Sequence, residues 1–191
     1  MGQKPEFDGV KLSLMHLDFS TGSFLGEPPQ SVKTLGELAS LFRDRMMAER
    51  MDASTVVYEI HGCPAEAEGR PRLLYATTVL HPGIVSGEFF MTRGHFHTNP
   101  ERGEFMMTCE GEGVLLLMDR ERNTWSERME KGSVHDIDGR YAHRVVNTGS
   151  ESLVFLVVWM SDCGHEYDSI MESGFGKAVV AEGGRFALVP R

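Results

Sequence analysis

Residues 55 to 191 are written as short apolar runs cut by glycine turns, and that texture leaves few architectures open. The runs fall at residues 55–60, 73–80, 88–92, 105–108, 114–118, 134–137 and 153–160, with Gly111-Glu112-Gly113, Asp138-Gly139, Thr148-Gly149 and Gly183-Gly184 between them. Each is a strand's length, too short for a core helix, and the glycines supply the backbone freedom that tight turns need. Many short strands at regular spacing predict an all-β sandwich or barrel. The expected organisation is a single domain over residues 1–191: an N-terminal extension of residues 1–54 packed on a barrel and C-terminal segment of residues 55–191. One helix is expected in the extension. Thr34-Leu35-Gly36-Glu37 has the form of a capping box, and Leu35, Leu38, Leu41, Phe42 and Met46 follow at helical spacing. A second, weak helix is expected over residues 169–173.

Bulk properties exclude several function classes. The formal charge is -9 and no basic stripe is present, so nucleic acid is not an expected partner. A small anion is still compatible, because a site reads its local field. The longest strongly apolar stretch, residues 153–160, is far short of a membrane span, and residues 1–10 have no apolar core for a signal peptide. With no export signal, Cys63, Cys109 and Cys163 read as free thiols in a reducing compartment, and a cytoplasmic location is expected.

The residues that carry chemistry are concentrated in Thr92-Arg93-Gly94-His95-Phe96-His97, then Glu104, then Ala142-His143-Arg144-Val145-Val146-Asn147. On a strand, residues two apart leave the same face about 7 Å apart, so His95 and His97 can converge on one cation. Glu104, seven residues after His97, is expected across a turn on the adjacent antiparallel strand. His143 must come from another strand of the same barrel. Three imidazoles and a carboxylate suit a divalent first-row metal with positions left for water or substrate.

This His-x-His…Glu…Gly pattern, with the later Gly…His-x-x-x-Asn, resembles the two cupin motifs; Gly111, Gly132 and Asn147 fall at the matching positions. The resemblance implies a cupin jelly-roll β-barrel. Residues 77–83, the block 88–97, Ala142-His143-Arg144, Gly164-His165-Glu166-Tyr167 and Gly174-Phe175 resemble more narrowly the cupin-type phosphoglucose isomerases. The likeness reaches back to Asp18-Phe19-Ser20-Thr21-Gly22 and so spans nearly the whole chain. It implies one divalent metal per subunit, usually iron(II), with zinc, manganese or nickel able to substitute, held by His95, His97, Glu104 and His143. It implies a sugar-phosphate site along Thr78, Thr92 and Gly94, with His165 and Tyr167 approaching from the other side, and a homodimer. The cation of Arg93 adds a phosphate anchor at the far end.

Aldose–ketose isomerisation moves hydrogen between C1 and C2 while charge develops on the oxygens, and a divalent cation stabilises that charge as a Lewis acid. Glu104 and His165 are the expected catalytic groups, although a carboxylate held on a metal is a poorer base. A proton shuttle through a cis-enediol and a direct hydride shift both remain open. Met106 and Trp159 stand where family members carry tyrosine, which puts the exact sugar phosphate in question. Two other readings share the same ligands: a cupin dioxygenase with an apolar pocket, and a non-catalytic sugar- or metal-binding cupin.

Overall fold

A computed structural model describes residues 16–24, 28–62 and 70–191; Cys63 and the N-terminal ten residues lie outside them. Strands in chain order are β1 Ser31–Thr34, β2 Val56–His61, β3 Leu73–Leu80, β4 Ile84–Val85, β5 Glu88–Phe89, β6 Phe96–His97, β7 Glu104–Glu110 and β8 Glu112–Met118. They continue as β9 Thr124–Glu130, β10 Val134–Ile137, β11 Ala142–Asn147, β12 Leu153–Met160, β13 His165–Glu166, β14 Lys177–Glu182 and β15 Arg185–Pro190. Among the described residues, three short α-helices, α1 Leu35–Leu38, α2 Arg45–Arg50 and α3 Asp168–Ser173, and one 3-10 turn, Ala39–Leu41, complete the set.

All strand pairings among the described residues are antiparallel. One layer is a six-stranded sheet in the order β1-β2-β3-β12-β7-β10. The facing layer is β11-β8-β9, continued by a bridge between His95 and His143 to β6, which pairs with β13. A four-stranded sheet, β15-β14-β5-β4, is tied to β11 through the Met91–Val146 bridge. The result is an all-β jelly roll with its apolar core between the layers, built from residues such as Leu80, Met106, Leu116, Met129, Val145 and Phe155. Strand periodicity decides what faces inward. On β7, Glu104, Met106 and Thr108 are buried while Phe105 is 41% exposed.

The N-terminal region departs from expectation in two ways. Residues 31–34 are not outside the barrel; Ser31 pairs with Ile60 and Val32 with Glu59, so this segment is the edge strand of the large sheet. The single expected helix is also broken. Glu37 accepts the Thr34 amide at 2.9 Å and starts α1, but Phe42 turns extended and the Arg43 amide is taken by Glu88 at 2.7 Å. Asp44 then caps a separate helix by accepting the Met47 amide at 3.0 Å. Met46, read as the last member of the apolar stripe, is 69% exposed and belongs to this second helix. The expected weak helix near residue 169 is present as α3.

Candidate metal centre and substrate cavity

His95, His97, Glu104 and His143 are gathered as the spacing suggested, with one ligand atom from each within 4.8 Å of the others. The way they are gathered differs. Glu104 is not on the strand beside His97: β7 lies in the six-stranded sheet between β12 and β10, while His97 pairs with His165 of β13. The turn after β6 therefore crosses from one layer to the other, and the carboxylate meets the imidazoles across the barrel interior. Its two oxygens divide between two rings, Oε2 lying 3.6 Å from His97 Nε2 and Oε1 3.6 Å from His143 Nε2. The His95 and His97 rings stack with centroids 5.6 Å apart, and the His143 ring stands edge-on to His95 at 4.5 Å.

The local backbone makes this possible. Gly94 has φ +76°, and a Cβ there would sit 2.9 Å from both Arg144 Cβ and Phe175 and 3.0 Å from the His143 carbonyl. Only glycine lets the chain press against β11 and turn His95 toward the interior. His97 is oriented from behind: Nδ1 donates to the Arg102 carbonyl at 2.5 Å. A carbonyl can only accept, so the proton sits on Nδ1 and the Nε2 lone pair points into the cluster.

Electrostatics favour a cation. Burial by itself pushes the Glu104 carboxyl up, but the imidazoles of His143 and His97 outweigh it and hold the group well below the ordinary carboxylate range. Burial, with His143 and His165 alongside, keeps His95 well below an ordinary imidazole. For His97, burial opposes protonation, yet the Glu104 carboxylate and the Arg102 carbonyl prevail and raise it. The Nε2 atoms of His95, His97 and His143 are buried without a hydrogen-bond partner. Buried ring nitrogens without partners are costly unless something occupies them. Three such lone pairs and one ionised carboxylate fit a divalent ion.

His95, Glu104 and His143 line a cavity of about 350 Å³ between the two layers, within the range of small-molecule sites. Every substrate residue named from the sequence lines it: Thr78 from β3, Thr92, Arg93 and Gly94 from the run ahead of His95, and His165 and Tyr167 from β13 and the residue after it. The Thr92 hydroxyl accepts the Val145 amide at 3.0 Å, which leaves its proton free to be donated into the cavity. Arg93 lies over the Tyr167 ring, 3.5 Å from its centroid. The His165 ring stands 4.4 Å from that of His95, its Nε2 lies 3.9 Å from the Cys163 thiol, and burial lowers its pKa. That lowering implies a shielded ring, whereas the side-chain surface is among the exposed ones; the two are reconciled by a ring at the cavity rim, with one edge inward.

Four polar lining residues escaped sequence reasoning: Ser31 and Lys33 of β1, Tyr58 of β2 and Arg144 of β11. Ser31 and Lys33 fell in the N-terminal extension, and Tyr58 in a run read as a strand with no site role; the alternation of Tyr58 and Ile60 on that strand was the available signal. Arg144 is 2% exposed, yet its guanidinium has only the Met91 sulfur and the Arg93 carbonyl as hydrogen-bond acceptors, with Nε unpartnered. Burial and the nearby Arg191 lower its pKa to about 9. The opposite wall is apolar: Ala76, Met106, Phe155, Val157 and Trp159.

An antiparallel jelly roll with a three-histidine, one-glutamate cluster between its layers is a cupin barrel. The family model described as glucose-6-phosphate isomerase matches residues 32–189. Glucose-6-phosphate isomerase of Thermococcus litoralis is 38% identical over 182 residues, covering 94% of this chain and 92% of that protein. The enzymes of the same name from Thermococcus onnurineus and Pyrococcus furiosus are 40% and 38% identical, each covering 95% of this chain and 93% of the relative. The chain belongs to the glucose-6-phosphate isomerase family and is an isomerase. Among solved structures, oxalate decarboxylase of Lactobacillus farciminis in a formate complex matches 58% of this chain and 30% of its own at TM-score 0.45 and 18% identity. Oxalate oxidase with glycolate matches 51% and 47% at TM-score 0.43 and 17% identity. Among the described residues no helix is long and apolar enough to cross a membrane.

Proposed function

We propose that this chain is a metal-dependent glucose-6-phosphate isomerase that interconverts glucose 6-phosphate and fructose 6-phosphate, acting as a single cupin domain in a cytoplasmic homodimer. The observation that carries the reading is the polarity of one cavity. The same cavity is lined by a cluster shaped for a divalent cation and by two arginines, Arg93 and Arg144, whose Nε atoms are buried without a hydrogen-bond partner. Guanidinium donors left unpartnered in a cavity are suited to a phosphate dianion, which accepts several charge-assisted hydrogen bonds. A molecule with a carbonyl–hydroxyl pair and a phosphate satisfies the cluster and the arginines at once.

His95, His97, Glu104 and His143 would hold the ion, with iron(II) the expected metal and zinc, manganese or nickel as substitutes. When bound, it supplies Lewis-acid stabilisation of the charge that develops on O1 and O2. The chain's own residues do the rest. Arg93, the Thr92 and Thr78 hydroxyls, the backbone at Gly94 and Arg144 beneath them anchor the phosphate, so that binding energy far from C1 and C2 positions the reacting carbons. Tyr167, stacked under Arg93, holds that guanidinium toward the cavity. Glu104 and His165 are the groups able to move a proton between C1 and C2. Both Glu104 oxygens face imidazoles, which makes it the weaker base. His165 is neutral at pH 7 and sits beside His95, which makes it the stronger one. The apolar wall of Met106 and Trp159 offers one indole N–H to the sugar, so specificity among hexose 6-phosphates rests on the polar wall.

The test is a coupled isomerase assay with fructose 6-phosphate, mannose 6-phosphate and unphosphorylated fructose. The expected result is turnover of fructose 6-phosphate, at least a hundredfold poorer kcat/KM with fructose, and loss of turnover in Arg93→Ala through a raised KM. Equal turnover of free fructose would contradict a phosphate-binding role for the arginines, and oxygen uptake without isomerisation would favour a dioxygenase.

A further inference from the structure

One residue outside the cavity touches both halves of the site. Arg102 lies in the turn that crosses from β6 to β7, between His97 and Glu104. Its carbonyl oxygen accepts the His97 Nδ1–H at 2.5 Å. Its guanidinium reaches away from the cluster and grips Asp162 in a two-pronged ion pair, with Nε 3.0 Å and 3.1 Å from the two carboxylate oxygens and Nη2 2.8 Å from Oδ2. Asp162 sits in the turn after β12, three residues ahead of His165 and five ahead of Tyr167. The same two turns are zipped by backbone contacts, the Asn99 amide donating to the Cys163 carbonyl at 2.8 Å and the Thr98 amide to the Gly164 carbonyl at 3.3 Å. The Arg102 amide closes its own turn on the Asn99 carbonyl at 3.1 Å.

We propose that Arg102 is a positioning residue. Anchored on Asp162, it directs His97 toward the metal and sets the arm carrying His165 and Tyr167 at a fixed distance from the same metal. The two side chains are about one third exposed, 39% and 32%, and a pair so placed contributes little to global stability. Its effect therefore belongs to the site. Outer-shell partners of ligating histidines typically tune metal affinity ten- to a hundredfold. The fork matters as well as the charge, because two parallel N–H···O contacts fix orientation where one does not.

The kinetic half of this inference rests on the isomerase reading above; the metal half does not. The probe is the metal alone: zinc(II) affinity from competition with a chelator, in the intact protein, Arg102→Gln, Asp162→Asn, the double variant and Arg102→Lys. Each single neutral variant is expected to bind zinc about tenfold more weakly, with a melting temperature close to that of the parent metal-free protein. The double variant is expected to be no worse than either single, because both remove one shared contact. Arg102→Lys, which keeps the charge and loses the fork, should recover part of the affinity. With fructose 6-phosphate, kcat is expected to fall about tenfold while KM moves less than threefold. Unchanged zinc affinity in both singles, additive losses in the double, or a loss of affinity matched by general unfolding would overturn the proposal. If no variant and no parent protein isomerises any hexose phosphate, the functional reading fails, and the zinc competition still decides the role of Arg102.

Discussion

The two ring nitrogens of His97 face a carbonyl and a carboxylate, and that asymmetry separates a ligand from a packed histidine. Removing one imidazole from the cluster should therefore cost more than its packing. His95→Ala and His143→Ala are each expected to lower metal affinity at least a hundredfold and to abolish isomerisation, with metal content read by elemental analysis. A variant that keeps one bound metal per chain would show that the ring is not a ligand. Acid sensitivity of the metal-free protein follows from the same residues. His95 has a folded pKa below its ordinary 6.5, so as pH falls under 6.5 the unfolded chain takes up the proton first and stability drops. His97, raised by Glu104, works with the opposite sign and in another window: its contribution is complete below 6.5 and fades as pH rises through its folded value. Between pH 6.5 and 5 the metal-free melting temperature should fall, and His95→Gln should flatten that slope. An equally steep slope in the variant would assign the effect elsewhere.

Among the elements, strands with a mixed apolar texture were legible and strands defined by neighbours were not. Residues 73–80, 134–137 and 153–160 are found as β3, β10 and β12 with the expected bounds. By contrast, β9 reads Thr-Trp-Ser-Glu-Arg-Met-Glu, a strand mostly open to solvent that pairs along its length with the buried β8. Its existence depends on its partner, which local sequence does not display. The same applies to Glu104. Its spacing from His97 announced a shared site, but whether seven residues fold back as a hairpin or cross between layers is decided by which sheet can bury β7, a tertiary matter. The capping pattern at Thr34 was real, while the helix behind it was ended where Phe42 turns extended and the Arg43 amide meets Glu88, a contact between residues 45 positions apart. Asp44→Ala should accordingly lower the melting temperature through loss of the second cap. Gly94→Ala, forced into a left-handed backbone against Arg144, Phe175 and the His143 carbonyl, should cost about 1–3 kcal/mol and loosen metal binding as well. Thermal melts of the two variants with and without zinc would separate them; an Asp44 variant that also lost zinc would blur that distinction and count against it.

Across the molecule, the six-stranded sheet has an inner face that lines the cavity and an outer face on which Phe105, Val134 and Leu73 are 41%, 58% and 63% exposed. An exposed apolar sheet face is a feature of association surfaces. The proposed homodimer predicts that light scattering gives twice the 21.3 kDa chain mass. Val134→Asp is expected to shift the population to monomer with the cavity intact; a monomeric parent protein would contradict this. The central claim concerns the barrel interior rather than its surface: side chains from two layers, His95, His97 and His143 on one and Glu104 on the other, close on a single divalent ion beside a hexose phosphate. It is tested most directly by titrating metal back into chelated protein during fructose 6-phosphate turnover. The account predicts no turnover after chelation and recovery that saturates at one iron(II) per chain. Turnover that survives complete removal of metal would contradict it.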